Sequence, residues 1–142
     1  MEGNPFLSVI IPAYNEEKRI SKTLLAVDRY LQKQTFDYEI LVVSDGSKDK
    51  TAEIVSEFQK SLKNLKLIDN QTNHGKGWVT RQGMLAALGQ VRLFMDADNA
   101  TTMDHFDKMK PYFDNGAQGV IGSRDAKDAK GAKQAVPQSG LK

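Results

Sequence analysis

The amino-acid sequence predicts an α/β fold built on a doubly wound, mostly parallel sheet. Short apolar runs, typical of buried parallel strands, alternate along the chain with segments whose apolar residues recur at helical spacing. The alternation continues to residue 121 without an internal repeat. Because parallel strands joined by helices form right-handed crossovers, the helices are expected to flank the sheet.

The apolar runs are expected to form five strands. They occupy residues 6–11, 38–43, 65–68, 91–95 and 117–121. Pro12 ends the first run, and the turn-forming residues 44–47 follow the second. The polar residues 70–73 separate the third run from the next helix.

Four helices are expected between these strands. Asn15 is expected to cap the first helix, which begins at Glu16. The apolar face of that helix is formed by Ile20, Leu24, Val27 and Leu31. The second helix follows residues 44–47, the third spans residues 75–88, and the fourth spans residues 101–112.

The 142 residues are enough for one domain with a sizeable core. We expect this domain at residues 1–124, because residues 125–142 have no periodic apolar pattern. The last segment is small, charged and rich in turn-forming residues. Such a segment fits either a polar tail or the point at which a longer protein has been cut.

The composition excludes several classes of protein. The net charge of +2 and the absence of a long Lys/Arg block argue against a nucleic-acid partner. Zero cysteines exclude disulfides, thiolate zinc sites and cysteine nucleophiles, and are consistent with a cytoplasmic location. No apolar stretch reaches membrane-spanning length, so we expect no membrane span in this chain.

Two carboxylates, Asp96 and Asp98, directly follow the apolar run at residues 91–95. Open α/β sheets bind ligands at the carboxyl ends of their strands. Oxygen ligands suit Mg²⁺ or Mn²⁺, and these ions commonly bridge protein and substrate phosphates. The pair is therefore a candidate metal–diphosphate site, with a solvated turn as the alternative.

The loops after the first two strands contain candidate nucleotide contacts. Tyr14 offers a stacking face and Glu16 an acceptor for a base, the alternative being an ordinary strand–helix turn. Asp45 could accept the N3–H of a uracil, or could form an Asx turn with Gly46. Since the carboxyl ends of parallel strands share one edge, both loops are expected to converge with the aspartate pair.

Lys76 lies in a glycine-rich stretch, residues 73–77, that opens the third helix. Its ammonium could neutralise a diphosphate, and the glycines let the backbone approach a ligand. The spacing matches neither a P-loop nor a dinucleotide-binding fingerprint, which disfavours an NTPase or an ordinary dinucleotide-dependent oxidoreductase. Arg124, after the fifth run, could contact an anionic ligand or lie in solvent.

Five segments, taken together and in this order, resemble glycosyltransferase family 2. They are FLSVIIPAYNE at residues 6–16, EILVVSDGSKDKT at 39–51, NHGKGWVTRQGMLAALG at 73–89, LFMDADNAT at 93–101 and VIGSR at 120–124. Within the family, the chain most resembles the dolichyl-phosphate (polyprenyl-phosphate) glucosyltransferase group. The DADNAT form of the fourth segment favours the glucosyl over the mannosyl members.

The resemblance implies a GT-A fold and an inverting transfer of a hexose, expected to be glucose. The donor would be a nucleotide-diphosphate sugar, with UDP-glucose favoured, and the acceptor a polyprenyl or dolichyl phosphate. It assigns nucleotide binding to Pro12, Ala13, Tyr14, Glu16, Asp45, Lys76 and Asp96. Asp96 and Asp98 would hold Mg²⁺ or Mn²⁺, Ser123 and Arg124 would meet the acceptor phosphate, and the catalytic set would be Asp96, Asp98 and Arg124.

The chain also departs from the family pattern. Ser44 stands in place of an aspartate, Asn99 replaces a glycine, and Trp78 occupies a position where small residues are common, which would reshape the donor pocket. Relatives continue past residue 138 into an acceptor-binding segment. Two alternatives therefore remain: a catalytically incomplete, C-terminally truncated nucleotide-sugar-binding fragment, or a family 2 transferase that uses GDP-mannose or another acceptor. In a longer protein, the expected location is the cytoplasmic face of a membrane.

Overall fold

A computed structural model of the chain describes residues 3–122. Its strands are β1 (Leu7–Ala13), β2 (Tyr38–Asp45), β3 (Leu65–Asn70) and β4 (Val91–Phe94). Its α-helices are α1 (Ile20–Gln32), α2 (Thr51–Phe58), α3 (Lys76–Ala86) and α4 (Phe106–Asp114), and a 3₁₀ turn spans Met103–His105. The chain divides into two compact units between His105 and Phe106.

The first unit is built on a four-stranded parallel sheet in the order β3-β2-β1-β4. Every residue of β1 is buried, which explains why this strand has a continuous apolar run instead of an alternating one. The chain moves from β1 outward to β3 and then returns to the other side of β1 with β4. The sheet therefore has a topological switch point between β1 and β4, where ligands of open α/β sheets bind. The predicted parallel α/β fold is confirmed.

Helix α1 buries the face that its apolar spacing predicted, with Ile20, Leu24, Val27 and Leu31 fully buried. The prediction of its start was wrong. The helix begins at Ile20, after a turn at residues 17–19, and no side chain caps it. Asn15 has a φ of 51°, and its side-chain oxygen accepts a hydrogen bond from the Lys48 N–H at 2.9 Å. A contact with a distant loop thus replaces the expected local cap.

Helix α3 packs on the sheet over a cluster formed by Ile10, Leu41, Val43, Val79 and Ala87. Gly83 permits this approach. A Cβ at this position would lie 2.5 Å from Ile10 Cγ2 and 3.0 Å from Val43 Cγ2. The close contact fixes the distance between α3 and the centre of the sheet, and with it the position of the loop that precedes α3.

The second unit contains α4 and the residues after it. The predicted fifth strand at residues 117–121 was wrong, because these residues form no strand in the described part of the chain. The Ala117 N–H donates to the Tyr112 carbonyl at 2.9 Å, and Gly116 has a φ of 95°, so the segment closes the end of α4. Ile121 is 91% exposed. The sequence signal for a strand was only the β-branched pair Val120–Ile121. In the described part of the chain, this segment pairs with none of the four strands.

Candidate active site

A cleft of about 420 Å³ opens at the carboxyl ends of β1, β2 and β4. It lies at the switch point of the sheet. Its walls are formed by Pro12, Ala13, Tyr14, Glu16, Asp45, Asn73, Gly75, Lys76, Val79, Asp96, Ala97 and Asp98. The structure thus brings together every predicted site residue up to Asp98. The predicted acceptor residues Ser123 and Arg124 lie outside the described residues.

The aspartate pair follows β4 and faces the start of α3. The Lys76 ammonium donates to Asp96 Oδ1, and the two side chains are 64% and 49% exposed, respectively. Asp98 Oδ1 accepts the Ala100 N–H at 2.9 Å, which leaves Oδ2 without a hydrogen-bond donor from the described residues. Two carboxylates and one ammonium therefore lie at the mouth of the cleft, and the bond from Lys76 to Asp96 joins the start of α3 to the segment after β4.

Tertiary contacts hold the backbone of the aspartate pair. The buried Thr23 hydroxyl of α1 donates to the Ala97 carbonyl at 2.5 Å. Asn99 has a φ of 57°, a left-handed conformation that glycine adopts freely and asparagine tolerates better than most residues. This explains how Asn99 can stand where the family pattern has glycine. The contact from Thr23 could not be predicted from the sequence, because Thr23 and Ala97 are far apart along the chain.

Asp45 is almost fully buried, and both of its carboxylate oxygens accept backbone hydrogen bonds. Oδ1 accepts the His74 N–H at 2.7 Å and Oδ2 accepts the Gly75 N–H at 3.0 Å. The Asn73 side chain also donates to the Asp45 carbonyl at 3.2 Å. Asp45 is therefore an anchor for the glycine-rich loop, a role that cannot be predicted from the local sequence because it depends on residues about thirty positions away.

The remaining predicted residues occupy the wall formed by the end of β1 and the β1–α1 loop. Tyr14 lines the cleft and is 44% exposed. The Glu16 carboxylate pairs with Arg19 at 2.7 Å. Trp78 does not line the cleft; it stacks on the His74 ring, with ring centroids 3.9 Å apart. Neither residue lines the cleft, so Trp78 does not reshape the pocket as expected from the sequence.

Clusters of metal ligands and membrane-spanning helices are both absent from residues 3–122. These residues contain no group of three or more His, Asp or Glu side chains arranged to hold a metal ion. None of their helices is long and apolar enough to cross a membrane.

Residues 8–139 match the model of Glycosyl transferase family 2, and the chain belongs to this family. A dolichyl-phosphate beta-glucosyltransferase of Trichomonas vaginalis is 41% identical over 110 residues, which cover 74% of this chain and 34% of that protein. A dolichyl-phosphate beta-glucosyltransferase of Drosophila melanogaster is 40% identical over 119 residues, covering 78% of this chain and 36% of that protein. The chain therefore spans about a third of the length of these relatives.

Solved structures agree with this assignment. TarS of S. aureus, residues 1–349 in complex with UDP-GlcNAc, superposes with a TM-score of 0.63 and 33% identity over 78% of this chain and 31% of that chain. A mannosyltransferase of Pyrobaculum calidifontis in complex with GDP-Man and Mn²⁺ superposes with a TM-score of 0.58 and 25% identity, over 68% of this chain and 28% of that one. The GT-A fold and the family 2 resemblance predicted from the sequence are confirmed.

Proposed function

We propose that the chain is the donor-binding part of an inverting transferase that moves glucose from UDP-glucose to a polyprenyl or dolichyl phosphate. One observation carries the proposal: the loops after β1, β2 and β4, together with the start of α3, converge on a single cleft at the switch point of the sheet. The named activity of the two glucosyltransferase relatives supports the choice of sugar and acceptor.

The uridine would lie against Pro12, Ala13 and Tyr14, with the accessible Tyr14 ring as a stacking face. Asp45 would accept the uracil N3–H. Its carboxylate has about four lone-pair sites, so it can do this while it holds the backbone of the glycine-rich loop. Glu16 would supply a further acceptor at the same wall of the cleft.

The diphosphate would lie between Lys76 and the aspartate pair. A divalent cation fits this donor set, because Mg²⁺ and Mn²⁺ are commonly held by one or two carboxylates plus substrate phosphates and water. Asp96 and Asp98 would hold the ion, and Asp98 Oδ2 is the oxygen that accepts no hydrogen bond from the described residues. When bound, the ion would act as a Lewis acid that stabilises the leaving diphosphate.

The residues of the chain would then orient the donor for direct displacement. An acceptor phosphate oxygen would form a bond to the anomeric carbon while the bond from that carbon to the diphosphate oxygen breaks, which inverts the configuration. A phosphate monoester is largely ionised near pH 7, since its second pKa is about 6, so no general base is required. Lys76 would neutralise charge on the departing UDP. Ser123 and Arg124 are proposed to contact the acceptor phosphate.

Calorimetry with UDP-glucose and Mn²⁺ tests the donor site. We expect binding that is lost with EDTA, and weaker binding of GDP-mannose. Asp98→Asn should remove most of the metal-dependent affinity, while Asp37→Asn, an exposed aspartate before β2, should change nothing. Equal affinity with and without metal would refute the metal role, and tighter binding of GDP-mannose would assign the chain to mannosyl transfer.

A second candidate is a nucleotide-sugar-binding domain that does not transfer sugar by itself. The observation that favours it is that the chain spans about a third of the length of its relatives. Orientation of two reactants contributes roughly 7–11 kcal/mol to catalysis, so an incomplete acceptor site would affect the rate more than any one side chain. A radiolabelled-donor assay with dolichyl phosphate decides between the two: robust product supports the transferase, and slow donor hydrolysis alone supports the binding domain. With a lipid acceptor, we propose that the reaction occurs at the cytoplasmic face of a membrane.

A further inference from the structure

Two loops at the carboxyl edge of the sheet are joined by reciprocal hydrogen bonds. The first is the β1–α1 loop, residues 14–19, which contributes Tyr14 and Glu16 to the cleft. The second is the β2–α2 loop, residues 46–50, which contributes no residue to the cleft. Any effect of the second loop on a ligand must therefore pass through a neighbouring element.

The first pair of bonds involves Asn15. Its N–H donates to Ser47 Oγ at 3.1 Å, and its side-chain oxygen accepts the Lys48 N–H at 2.9 Å. The backbone of Asn15 has a φ of 51°, a left-handed conformation that asparagine tolerates better than most residues. The reciprocal bonds hold Asn15 in this conformation and fix the direction in which the chain leaves β1.

The second pair of bonds involves Glu17 and Asp49. The Glu17 N–H donates to Asp49 Oδ2 at 3.2 Å, and Glu17 Oε2 accepts the Lys50 N–H at 3.1 Å. The Glu17 contacts thus repeat, two residues further along, the pattern that Asn15 makes.

A central bond joins these two pairs. The Glu16 N–H donates to the hydroxyl of Thr51, which is fully buried, at 2.8 Å. That hydroxyl donates to Asp49 Oδ1, and the same oxygen accepts the Thr51 N–H at 2.9 Å. Burial alone would raise the pKa of Asp49, but the hydrogen bonds from Thr51 and from the Glu17 N–H hold it below its ordinary value. Asp49 is thus the acceptor on which the contacts of both Thr51 and Glu17 depend.

We propose that Asp49 is a positioning residue for the nucleoside side of the cleft. It touches no cleft space itself, but it accepts from the Glu17 N–H directly and holds the Glu16 N–H through Thr51, so it fixes the backbone on either side of the Glu16 side chain. This inference rests on the proposed function, because it assumes that Tyr14 and Glu16 contact the nucleoside. An amide in place of the carboxylate turns one acceptor into a donor that faces an N–H group, so the first loop loses a fixed contact.

The test compares Asp49→Asn with the wild-type chain in UMP and UDP titrations, with Mn²⁺ in excess and at a temperature where both proteins are folded. We expect about tenfold weaker binding of both nucleotides, because the loss concerns the part of the ligand they share. The matched control is Glu39→Gln, which removes a buried carboxylate at the opposite end of the sheet. It should lower the thermal midpoint and leave both affinities unchanged.

Hydrogen exchange gives a readout that does not depend on nucleotide. In Asp49→Asn, the N–H groups of Glu16 and Glu17 should exchange faster, while those of His74 and Gly75, held by Asp45, should keep the wild-type rate. Unchanged exchange at Glu16 and Glu17, or wild-type affinity for UMP and UDP, would overturn the inference and leave the proposed function standing. Failure of the wild-type chain to bind UDP would overturn both.

Discussion

Replacing Glu39 with glutamine should destabilise the fold far more than the same change at an exposed glutamate. Glu39 lies near the amino end of β2, and its side chain is only 6% exposed. Oε1 accepts the Ser8 hydroxyl at 2.5 Å and the Leu88 N–H at 2.6 Å, and Oε2 accepts the Lys66 ammonium at 2.7 Å. One carboxylate therefore ties β1, β3 and the α3–β4 loop to β2.

The cost of Glu39→Gln follows from these contacts. The amide oxygen can still accept from Ser8 and Leu88, but each bond loses its charge assistance, which is worth about 1 kcal/mol. The ion pair with Lys66 adds no more than about 1 kcal/mol, because that lysine is half exposed and can return to water. We expect a total loss of about 2–3 kcal/mol. Glu39→Ala should cost about 3–5 kcal/mol, because it also leaves buried donors without an acceptor.

Urea unfolding at pH 7 measures both variants. The control is Glu57→Gln, which breaks an exposed pair with Lys60 at 3.0 Å and should cost less than about 0.5 kcal/mol. A loss below about 1 kcal/mol for Glu39→Gln, or one equal to that of the control, would refute the reasoning from burial and hydrogen bonding.

The pH dependence supplies an independent check on Glu39. Burial alone would raise its pKa, but the hydrogen bond from Lys66, those from Ser8 and the Leu88 N–H, and the charge of Lys66 together hold it below the ordinary value of 4.5. A lowered pKa in the folded state stabilises the protein above the unfolded-state value, and this stabilisation is lost as the pH falls through the folded value. The difference in the free energy of unfolding between wild type and Glu39→Gln should therefore be largest at neutral pH and shrink as the pH falls below 4.5.

Three further changes test the packing and the cleft. Gly83→Ala places a Cβ 2.5 Å from Ile10 Cγ2 and should lower the free energy of unfolding in urea by about 1–3 kcal/mol. An unchanged free energy of unfolding would mean that α3 moves freely on the sheet. Gly46→Ala adds a Cβ at a residue with a φ of 70°, and this Cβ would lie 2.6 Å from the Thr72 carbonyl carbon. The change should lower the free energy of unfolding by about 1–3 kcal/mol in the same experiment, and it should also weaken UDP binding in calorimetry. Lys76→Gln removes the cation next to the aspartate pair. Mn²⁺ binding without nucleotide, measured by electron paramagnetic resonance, should therefore tighten roughly 2- to 10-fold, while UDP binding weakens. Unchanged Mn²⁺ affinity would show that Lys76 and the metal do not compete.

The local pattern was sufficient to predict the elements of the first unit. The apolar run at residues 38–43 lies within β2 (Tyr38–Asp45), and the spacing of Ile20, Leu24, Val27 and Leu31 predicted the buried face of α1. These features follow from the spacing of apolar residues along the chain, which is a local property of the sequence. The convergence of the Tyr14, Asp45 and Asp96 loops was predictable for a related reason, since parallel strands must present their carboxyl ends at one edge.

The tertiary structure decided what each polar side chain contacts. Asn15 is a plausible cap in the sequence, yet its oxygen accepts from Lys48. Asp45 is a plausible base acceptor, yet both of its oxygens also hold residues 74–75. Residues 117–121 have a weak strand signal, but their backbone closes the end of α4. Hydrogen bonds act over about 3 Å in space and are independent of separation along the chain, so their partners are fixed only when packing brings distant loops together.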